Sequence, residues 1–319
     1  MATRFYLYAL LSCLVTLTAT GEDAAPAGKP VPRMQVIPLP RSEASIQDNG
    51  RELTRLVFDS SLRRPFLYPL VGPSGRSLTR MGHPRDPHSH SHHNSVWISH
   101  HDVDGVDFWG DGGQGQIVQR RVVAFEDADD EALIQTEIEW LGSGDKVLLK
   151  ERRLVRVRAL ERNHWLLVLA LELATPTDQV VTLGKTPFGL IGVRMAKTIG
   201  VHDGGGTIRN SAGGTNEQGV IWQPAKWVDY SGPITRDALE GITLMDHPSN
   251  PNHPSVFHVR DDGWMGASLT FADALEIEPA KPLRLRYGLY VHSGATAVEE
   301  LQKQFAEFAK IEGVPATKK

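Results

Sequence analysis

The sequence predicts an all-β fold, a large antiparallel β-sandwich that ends in one C-terminal helix. Short apolar runs of strand length alternate with turns rich in Gly, Pro, Asn and Asp over most of the 319 residues. Several runs alternate apolar and polar residues with a period of two, which is typical of half-buried strands. The chain shows no strand–helix–strand rhythm and no glycine-rich nucleotide motif, so we predict no nucleotide cofactor.

Twelve strands are predicted in turn, and only the end of the chain changes its period. The strands span Met34–Leu39, Leu53–Asp59, Pro65–Val71, Gln116–Phe125, Ala132–Trp140, Lys146–Arg158, Arg162–Ala174, Thr186–Lys197, Gly241–Asp246, Ser255–Arg260, Trp264–Thr270 and Leu283–Val291. An apolar stripe with helical spacing, from Val298 to Phe308, then predicts the C-terminal helix. Thr296 and Glu299 have the spacing of a capping box at its start.

Composition and charge exclude several classes of partner. The chain has 34 basic and 38 acidic residues, a formal net charge of −4, and no long basic block. We therefore expect neither nucleic acid nor an anionic membrane surface as a partner, and no membrane span after the N-terminal segment. The oligomeric state is left open.

The N-terminal segment has the anatomy of a secretory signal peptide. Arg4 precedes an apolar run that ends in small residues, so we predict a signal over residues 1–21. A disordered leader over 22–32 and a single domain over 33–319 follow, in a periplasmic or extracellular protein. An uncleaved anchor is the alternative, and a lipoprotein anchor through Cys13 is less favoured because apolar residues continue past it. Cys13 is the only cysteine, so the mature chain can form neither disulfides nor thiolate zinc sites.

A histidine-rich stretch, residues 81–109, predicts a functional site. It holds seven of the thirteen histidines. If the segment is extended, His88, His90 and His92 share one face and His93 points the other way. Neutral imidazoles at this spacing suit Zn²⁺, Mn²⁺ or a similar divalent ion. A solvated polar loop is the alternative interpretation.

A second polar stretch, Asp246–Arg260, predicts the other half of the site. Three prolines fix its backbone, which suits a loop shaped in advance for a ligand. We expect this stretch and residues 81–109 to meet on one concave face of the sandwich. A third group suits either sugar stacking or capping of the core, and it consists of Trp222, Trp227, Asp229 and Tyr230.

Several long motifs resemble one known family. HSHHNSVWISHHDVDGVDFW, GLIGVRMA, RNSAGG, KWVDYSGP, DHPSNPNHPSVFHVRDDG and LRLRYGLYVHSG are similar to blocks of a bacterial family catalogued as methane oxygenase PmoA-like, from about Pro65 to His292. The resemblance implies a β-supersandwich similar to galactose mutarotase-like carbohydrate enzymes, and sugar chemistry. The chain departs from the family pattern at Asn94-Ser95, Phe257 and Asp262, where relatives commonly have Arg-Gly, Trp and Tyr. The matched positions include His90, His92, His93, Trp97, His100, Asp102, Gly105, Asp107, Phe108, Trp109, Arg194, Asp246, His247, Pro248, Asn250, His258, Arg260 and His292.

Residue chemistry and resemblance together predict an exported carbohydrate-active enzyme, a lyase, hydrolase or epimerase acting on a glycoside or an oxidised (keto) sugar. His93, His100 and His258 are the candidate acid/base groups, with Asp246 to orient a histidine and Arg260 to stabilise an oxyanion. The candidate substrate-binding residues are Trp97, Asp107, Trp109, Arg194, Trp227, Asn250 and His292. One divalent metal ion is a possible cofactor, with His90, His92 and His247 as ligands. The alternative hypothesis is a non-catalytic periplasmic metal-binding or sugar-binding protein.

Overall fold

Two large antiparallel sheets confirm the predicted all-β sandwich. A computed structural model describes residues 30–82 and 90–314. The strands are β1 (Met34–Leu39), β2 (Glu43–Asp48), β3 (Arg51–Val57), β4 (Phe66–Leu70), β5 (Val96–His100), β6 (Gln116–Asp127), β7 (Glu131–Leu141), β8 (Val147–Ala159), β9 (Trp165–Ala174), β10 (Val181–Leu183), β11 (Gly189–Arg194), β12 (Thr207–Asn210), β13 (Gln223–Pro224), β14 (Trp227–Thr235), β15 (Ala238–Asp246), β16 (Val256–Arg260), β17 (Trp264–Ser268), β18 (Leu275–Ile277) and β19 (Leu283–Ser293). The helices are α1 (Val201–Gly204), α2 (Asn216–Val220) and α3 (Val298–Phe308).

The strand order places distant segments side by side. A nine-stranded sheet runs β1-β2-β3-β4-β5-β11-β17-β16-β13, and an eight-stranded sheet runs β12-β14-β15-β19-β9-β8-β7-β6. Strands β10 and β18 form a separate pair. In the nine-stranded sheet, β5, β11, β17 and β16 are consecutive neighbours, so the strand after the histidine-rich turn lies two strands away from β17.

Period-two alternation divides the residues of each sheet between the core and an outer face. Ile98 of β5 and Met265 of β17 belong to the apolar core, together with Val155 and Leu169 of the eight-stranded sheet. Their sequence neighbours Trp97 and Trp264 belong to a separate aromatic cluster. Because successive side chains of a strand point to opposite faces, this second cluster lies on the outer face of the nine-stranded sheet.

The predicted elements overlap the observed ones, with two kinds of difference. Strand β2 was missed because only Ala44 and Ile46 are apolar in it, and β5 and β14 were missed because their residues were interpreted as parts of a ligand site. The short strands β10, β13 and β18 were also not predicted. Helix α3 begins and ends where the apolar stripe does. The capping box is wrong, because the N-cap residue is Ala297 and it makes no side-chain cap.

The chain from Pro32 onward forms one compact unit. The predicted signal peptide, Cys13, most of the predicted leader and His88 lie outside the described residues. Of the helices that the structure describes, none is long and apolar enough to cross a membrane.

Candidate functional site

Three tryptophans form a floor on the outer face of the nine-stranded sheet. Trp97, Trp109 and Trp264 contact one another with ring centroids 5.3–5.6 Å apart. All three are at most 5% exposed, which is unusual for such large side chains outside the main core. Offset aromatic contacts at these distances add to the stability that their burial provides, so the floor is a rigid surface.

Two glycines make the floor possible. A Cβ atom on Gly192 would lie 2.6 Å from Cη2 of Trp264 and 2.8 Å from Cζ2 of Trp97. A Cβ atom on Gly266 would lie 2.8 Å from Cζ2 of Trp264. These positions in β11 and β17 therefore require glycine because indole rings lie directly against the backbone of the sheet.

The histidines lie in a turn, which corrects the predicted extended segment. The His93 amide donates to the His90 carbonyl at 3.0 Å, and the two imidazole rings stack 4.5 Å apart with planes 8° from parallel. His93 also stacks on Trp264 at 4.7 Å. His90 and His93 therefore share a side, whereas the expected alternation placed them on opposite sides. The His93 ring also contacts Trp97, at 5.2 Å.

A buried arginine holds this turn against the floor. Arg64 is 1% exposed and donates to the carbonyls of His92 and Trp109 and to Oδ1 of Asn94, at 3.0, 2.7 and 3.1 Å. Burial lowers the pKa of Arg64 to about 10. Arg64 thus links the histidine turn to the segment that carries Trp109.

A pocket of about 670 Å³ opens above the floor, in the size range of small-molecule sites. The ring of His258 stacks on Trp222 at 4.4 Å, and Arg260, two residues further along β16, points to the same face. The pocket therefore joins the histidine turn to the end of the 246–260 stretch, as the composite site predicts. Its lining residues are His90, His92, His93, Trp109, Phe188, Trp222, His258, Arg260, Asp262 and Trp264.

Paired charges border the pocket. Arg194 is fully buried and donates to both carboxylate oxygens of Asp262, at 2.8 and 3.2 Å. It also lies 3.3 Å from Nδ1 of His90. Arg260 pairs through Nε with Glu217 at 3.1 Å, and its side chain is 53% exposed. Such an exposed pair is weak, so Arg260 is free to turn towards a ligand.

Three of the pocket histidines, His92, His93 and His258, have a lowered pKa and are neutral near pH 7. Burial, and next the Arg260 guanidinium, lower the pKa of His258 to about 4. Burial also lowers the pKa of His92 and, more strongly, that of His93. Among the described residues, neither His93 Nδ1 nor His258 Nδ1 has a hydrogen-bond partner. A neutral ring nitrogen without a partner is able to accept or donate a proton or a hydrogen bond.

A family model described as "Family of unknown function (DUF6807)" matches residues 43–306. The chain belongs to this family. No curated protein sequence matches the chain. The resemblance to the methane oxygenase PmoA-like family stays a prediction, because the matching description names no such family.

Solved structures of carbohydrate enzymes are similar to the DUF6807 chain at low scores. They include a heparan sulfate lyase from Pedobacter heparinus (9% identity, TM-score 0.39, 83% of this chain and 38% of the lyase). They also include a galactose 1-epimerase from Lactobacillus acidophilus (8% identity, TM-score 0.37, 82% of this chain and 99% of the epimerase). An aldose epimerase homologue from C. elegans is similar as well (10% identity, TM-score 0.30, 83% of this chain and 99% of the homologue). The chain thus spans about two fifths of the lyase.

The first half of the 246–260 stretch does not reach the pocket. Asp246 is fully buried and accepts hydrogen bonds from Asn250 Nδ2, His253 Nδ1 and the Ser255 amide, at 2.7, 2.8 and 2.9 Å. These bonds hold the proline-rich loop together, so Asp246 orients His253 and not a pocket histidine. His247 contacts Ser249 and the Ala309 carbonyl.

Other predicted residues also lie away from the pocket lining. His100 is fully buried on the core side of β5, where its Nε2 lies 2.8 Å from Oγ1 of Thr270. Asp107 accepts from the amides of Trp109 and Gly110, so it shapes the turn that presents Trp109. Trp97 lies beneath the residues that line the pocket. Arg194 does not line it either, but it holds the lining residue Asp262 in place. Trp227 and His292 belong to the eight-stranded sheet, buried near α3.

The predicted metal ligands do not form a set. His247 is remote from His90 and His92, and the described residues contain no group of three His, Cys, Asp or Glu side chains arranged for a metal.

Three lining residues were not predicted. Asp262 and Trp264 lie where β17 begins, Phe188 lies just before β11, and these two segments are adjacent only because β11 pairs with β17. The available signal for Trp264 was Gly266, two residues later on the same face of the strand. A glycine inside a strand often marks a place where another group lies close to the backbone.

Proposed function

We propose that this protein is a carbohydrate-active enzyme whose pocket binds a sugar on its aromatic walls and whose His258 moves a proton. The proposal rests on the placement of His258, whose ring lines an aromatic pocket beside Arg260 and is kept neutral by a pKa of about 4. The apolar face of a sugar ring packs well against indole. A neutral imidazole is the base that acid/base chemistry on a sugar requires.

The arrangement supports proton abstraction from a carbon next to a carbonyl group. In this step His258 takes the proton, and the negative charge develops on the carbonyl oxygen. Arg260 projects from the same face of β16, and its guanidinium would stabilise that oxygen. A lyase and an epimerase on an oxidised (keto) sugar both begin with this step. A hydrolase would instead use His258 or His93 to move protons at the glycosidic oxygen and at water.

A binding protein without catalysis is the second candidate. The observation that favours it is the low pKa of His258, about 4, because a histidine so weakly basic in the free protein is a poor proton acceptor at neutral pH. In that case the aromatic walls bind a sugar that leaves the pocket unchanged.

The test is a screen of glycosides and keto-glycosides, with and without a chelator, followed by His258→Gln on any substrate found. We expect His258→Gln to lower kcat by roughly 100-fold or more, the usual contribution of a general base, with an unchanged melting temperature. The matched control is His202→Gln, because His202 is exposed on α1 outside the pocket. Full turnover by His258→Gln would contradict the proposal. Calorimetric binding of a sugar that is recovered unchanged would support the binding protein.

A further inference from the structure

A second pocket, of about 580 Å³, lies beside α3 on the outer face of the eight-stranded sheet. It lies between the β8–β9 hairpin, the end of β19 and the first turns of α3, remote in the fold from the His258 pocket. Its lining is mostly polar and carries both signs of charge. The lining residues are Leu160, Glu161, Arg162, His164, Tyr290, Ser293, Ala295, Thr296, Ala297, Glu300, Lys303 and Gln304.

One lining hydroxyl belongs to a carboxylate–imidazole–hydroxyl chain. Oδ1 of Asp229 lies 2.8 Å from Nε2 of His292, and Nδ1 of the same ring lies 2.7 Å from Oγ1 of Thr296. Asp229 and His292 are fully buried, whereas Thr296 is partly exposed at the pocket wall. This is the order of groups that activates a hydroxyl nucleophile: a buried acid, a base that it orients, and a hydroxyl within reach of solvent.

The carboxylate of Asp229 is ionised. Burial acts to raise the pKa of Asp229, but the His292 ring and the Arg209 guanidinium, which donates at 2.8 Å, outweigh it and lower the pKa to about 2. An ionised carboxylate only accepts hydrogen bonds, so His292 donates through Nε2. When the ring is neutral, this tautomer leaves the lone pair on Nδ1, which can then accept the proton of the Thr296 hydroxyl.

We propose that this pocket is a second active site, in which the Thr296 hydroxyl attacks a small carboxylic ester carried on a polar alcohol. The Thr296 oxygen forms a bond to the ester carbonyl carbon, and its proton passes to Nδ1 of His292. The carbon–oxygen bond of the ester breaks, and the alcohol leaves with the proton from His292. Water then attacks the acyl-threonine and gives a proton to His292, and the acid leaves as Thr296 regains its hydrogen.

The start of α3 completes the site. Thr296 lies in the turn between β19 and α3, two residues before the first helical residue, Val298. The Glu300 amide donates to the Ala297 carbonyl at 3.1 Å, so the amides of Val298 and Glu299 are the helix-start groups that would favour negative charge on the oxygen of the tetrahedral carbon. Glu300 is partly neutralised, because Lys303 lies 3.8 Å from it and Gln304 donates to it at 2.8 Å.

A neighbouring hydroxyl provides an internal comparison. Ser293 Oγ lies 2.9 Å from Nε2 of His164, and the other nitrogen of that ring contacts the Tyr290 hydroxyl at 2.7 Å. This second chain of hydrogen bonds ends in a neutral phenol, since burial raises the pKa of Tyr290. His164 therefore lacks the anionic partner that Asp229 gives to His292, so we assign the nucleophile to Thr296.

The experiment uses the full chain with p-nitrophenyl acetate for turnover and a fluorophosphonate probe for covalent labelling. We expect slow ester hydrolysis and labelling mapped to Thr296 by peptide mass spectrometry. Thr296→Val, which keeps the shape and removes the hydroxyl, should lower hydrolysis roughly 100-fold or more and abolish labelling, and Thr296→Ser should restore both. The control Thr207→Val makes the same change at an exposed position of β12 outside the pocket and should leave both unchanged.

Two measurements keep the outcome decisive. Thermal melts show whether Thr296→Val is folded, and His292→Gln tests the base separately from the nucleophile. Labelling of Ser293 and not Thr296 would overturn the assignment. Unlabelled wild-type protein, or a folded Thr296→Val variant that hydrolyses the ester like wild type, would overturn the site itself.

Discussion

The tryptophan floor packs against Gly192, which has no side chain. Adding a single carbon atom at this position therefore tests the packing directly. In Gly192→Ala the new Cβ would lie 2.6 Å from Trp264 and 2.8 Å from Trp97. Carbon atoms prefer separations of about 3.5–4.0 Å, so the two rings must each move by roughly 1 Å. His93 stacks on Trp264, and the displacement would therefore pass into the histidine turn.

The expected cost follows from packing. Inserting a carbon into a closely packed region costs about 1–3 kcal/mol, whereas replacing glycine by alanine inside a strand gains about 0.5–1 kcal/mol through reduced backbone freedom. We therefore expect Gly192→Ala to lower the free energy of unfolding by about 1–2 kcal/mol. We also expect a changed near-ultraviolet circular dichroism signal from the displaced tryptophans.

Urea unfolding and near-ultraviolet circular dichroism measure both effects. Gly112→Ala is the matched control, because no heavy atom lies within 4 Å of the Cβ it would add. If Gly192→Ala were as stable as Gly112→Ala, with an unaltered near-ultraviolet spectrum, the tryptophans could not lie against β11 as described.

Two further predictions concern buried groups around the site. Burial lowers the pKa of His100 to about 4 from 6.5, so its contribution to stability is full above pH 6.5 and falls by about 3 kcal/mol as the pH drops towards 4. Urea unfolding between pH 4.5 and 7.5 should show a shallower pH dependence for His100→Asn, and an unchanged slope would contradict this. Arg64→Met should speed amide hydrogen exchange in residues 90–94 and 109–110, because three hydrogen bonds that hold them are lost. Arg64→Lys should fail to restore protection, since an ammonium group cannot span the three acceptors, and wild-type exchange rates in both variants would rule out the clamp.

Much of the fold followed from the sequence because its signals are local. Alternation over 132–140 and the apolar stripe from Val298 to Phe308 depend only on which residues face the core, and both elements form where predicted. The capping box failed because the Thr296 hydroxyl has another partner, four residues earlier in the chain. The Thr296 hydroxyl lies 2.7 Å from Nδ1 of His292, and this alternative partner lies in a preceding strand.

The candidate site divides in the same way. His258 and Arg260 were placed correctly because they alternate on one face of a short strand that ends at the pocket. Asp246 was not placed correctly. Its carboxylate accepts hydrogen bonds from three donors within nine residues of it, so it does not face the pocket. A polar loop whose hydrogen-bonding groups are paired within the loop has the same composition as a loop whose groups bind a ligand. Trp264 and Phe188 could be assigned to the pocket only from the order of the strands in the sheet, and no single segment of the sequence encodes that order.

The two pockets differ in the partners of their histidines, and this difference bears on what each can do. Asp229 accepts a hydrogen bond from Nε2 of His292 and so holds that ring in the orientation in which Nδ1 faces Thr296. In the part of the chain that the structure describes, His258 has no carboxylate hydrogen-bonded to it, and its pKa of about 4 reflects that environment. Binding of a neutral glycoside would leave the pKa of His258 low. A sugar that brings a carboxylate or an enolisable carbonyl between His258 and Arg260 would raise the pKa of the imidazole, or weaken the carbon–hydrogen bond it attacks. The proposed chemistry at His258 therefore favours an oxidised sugar over an unmodified glycoside.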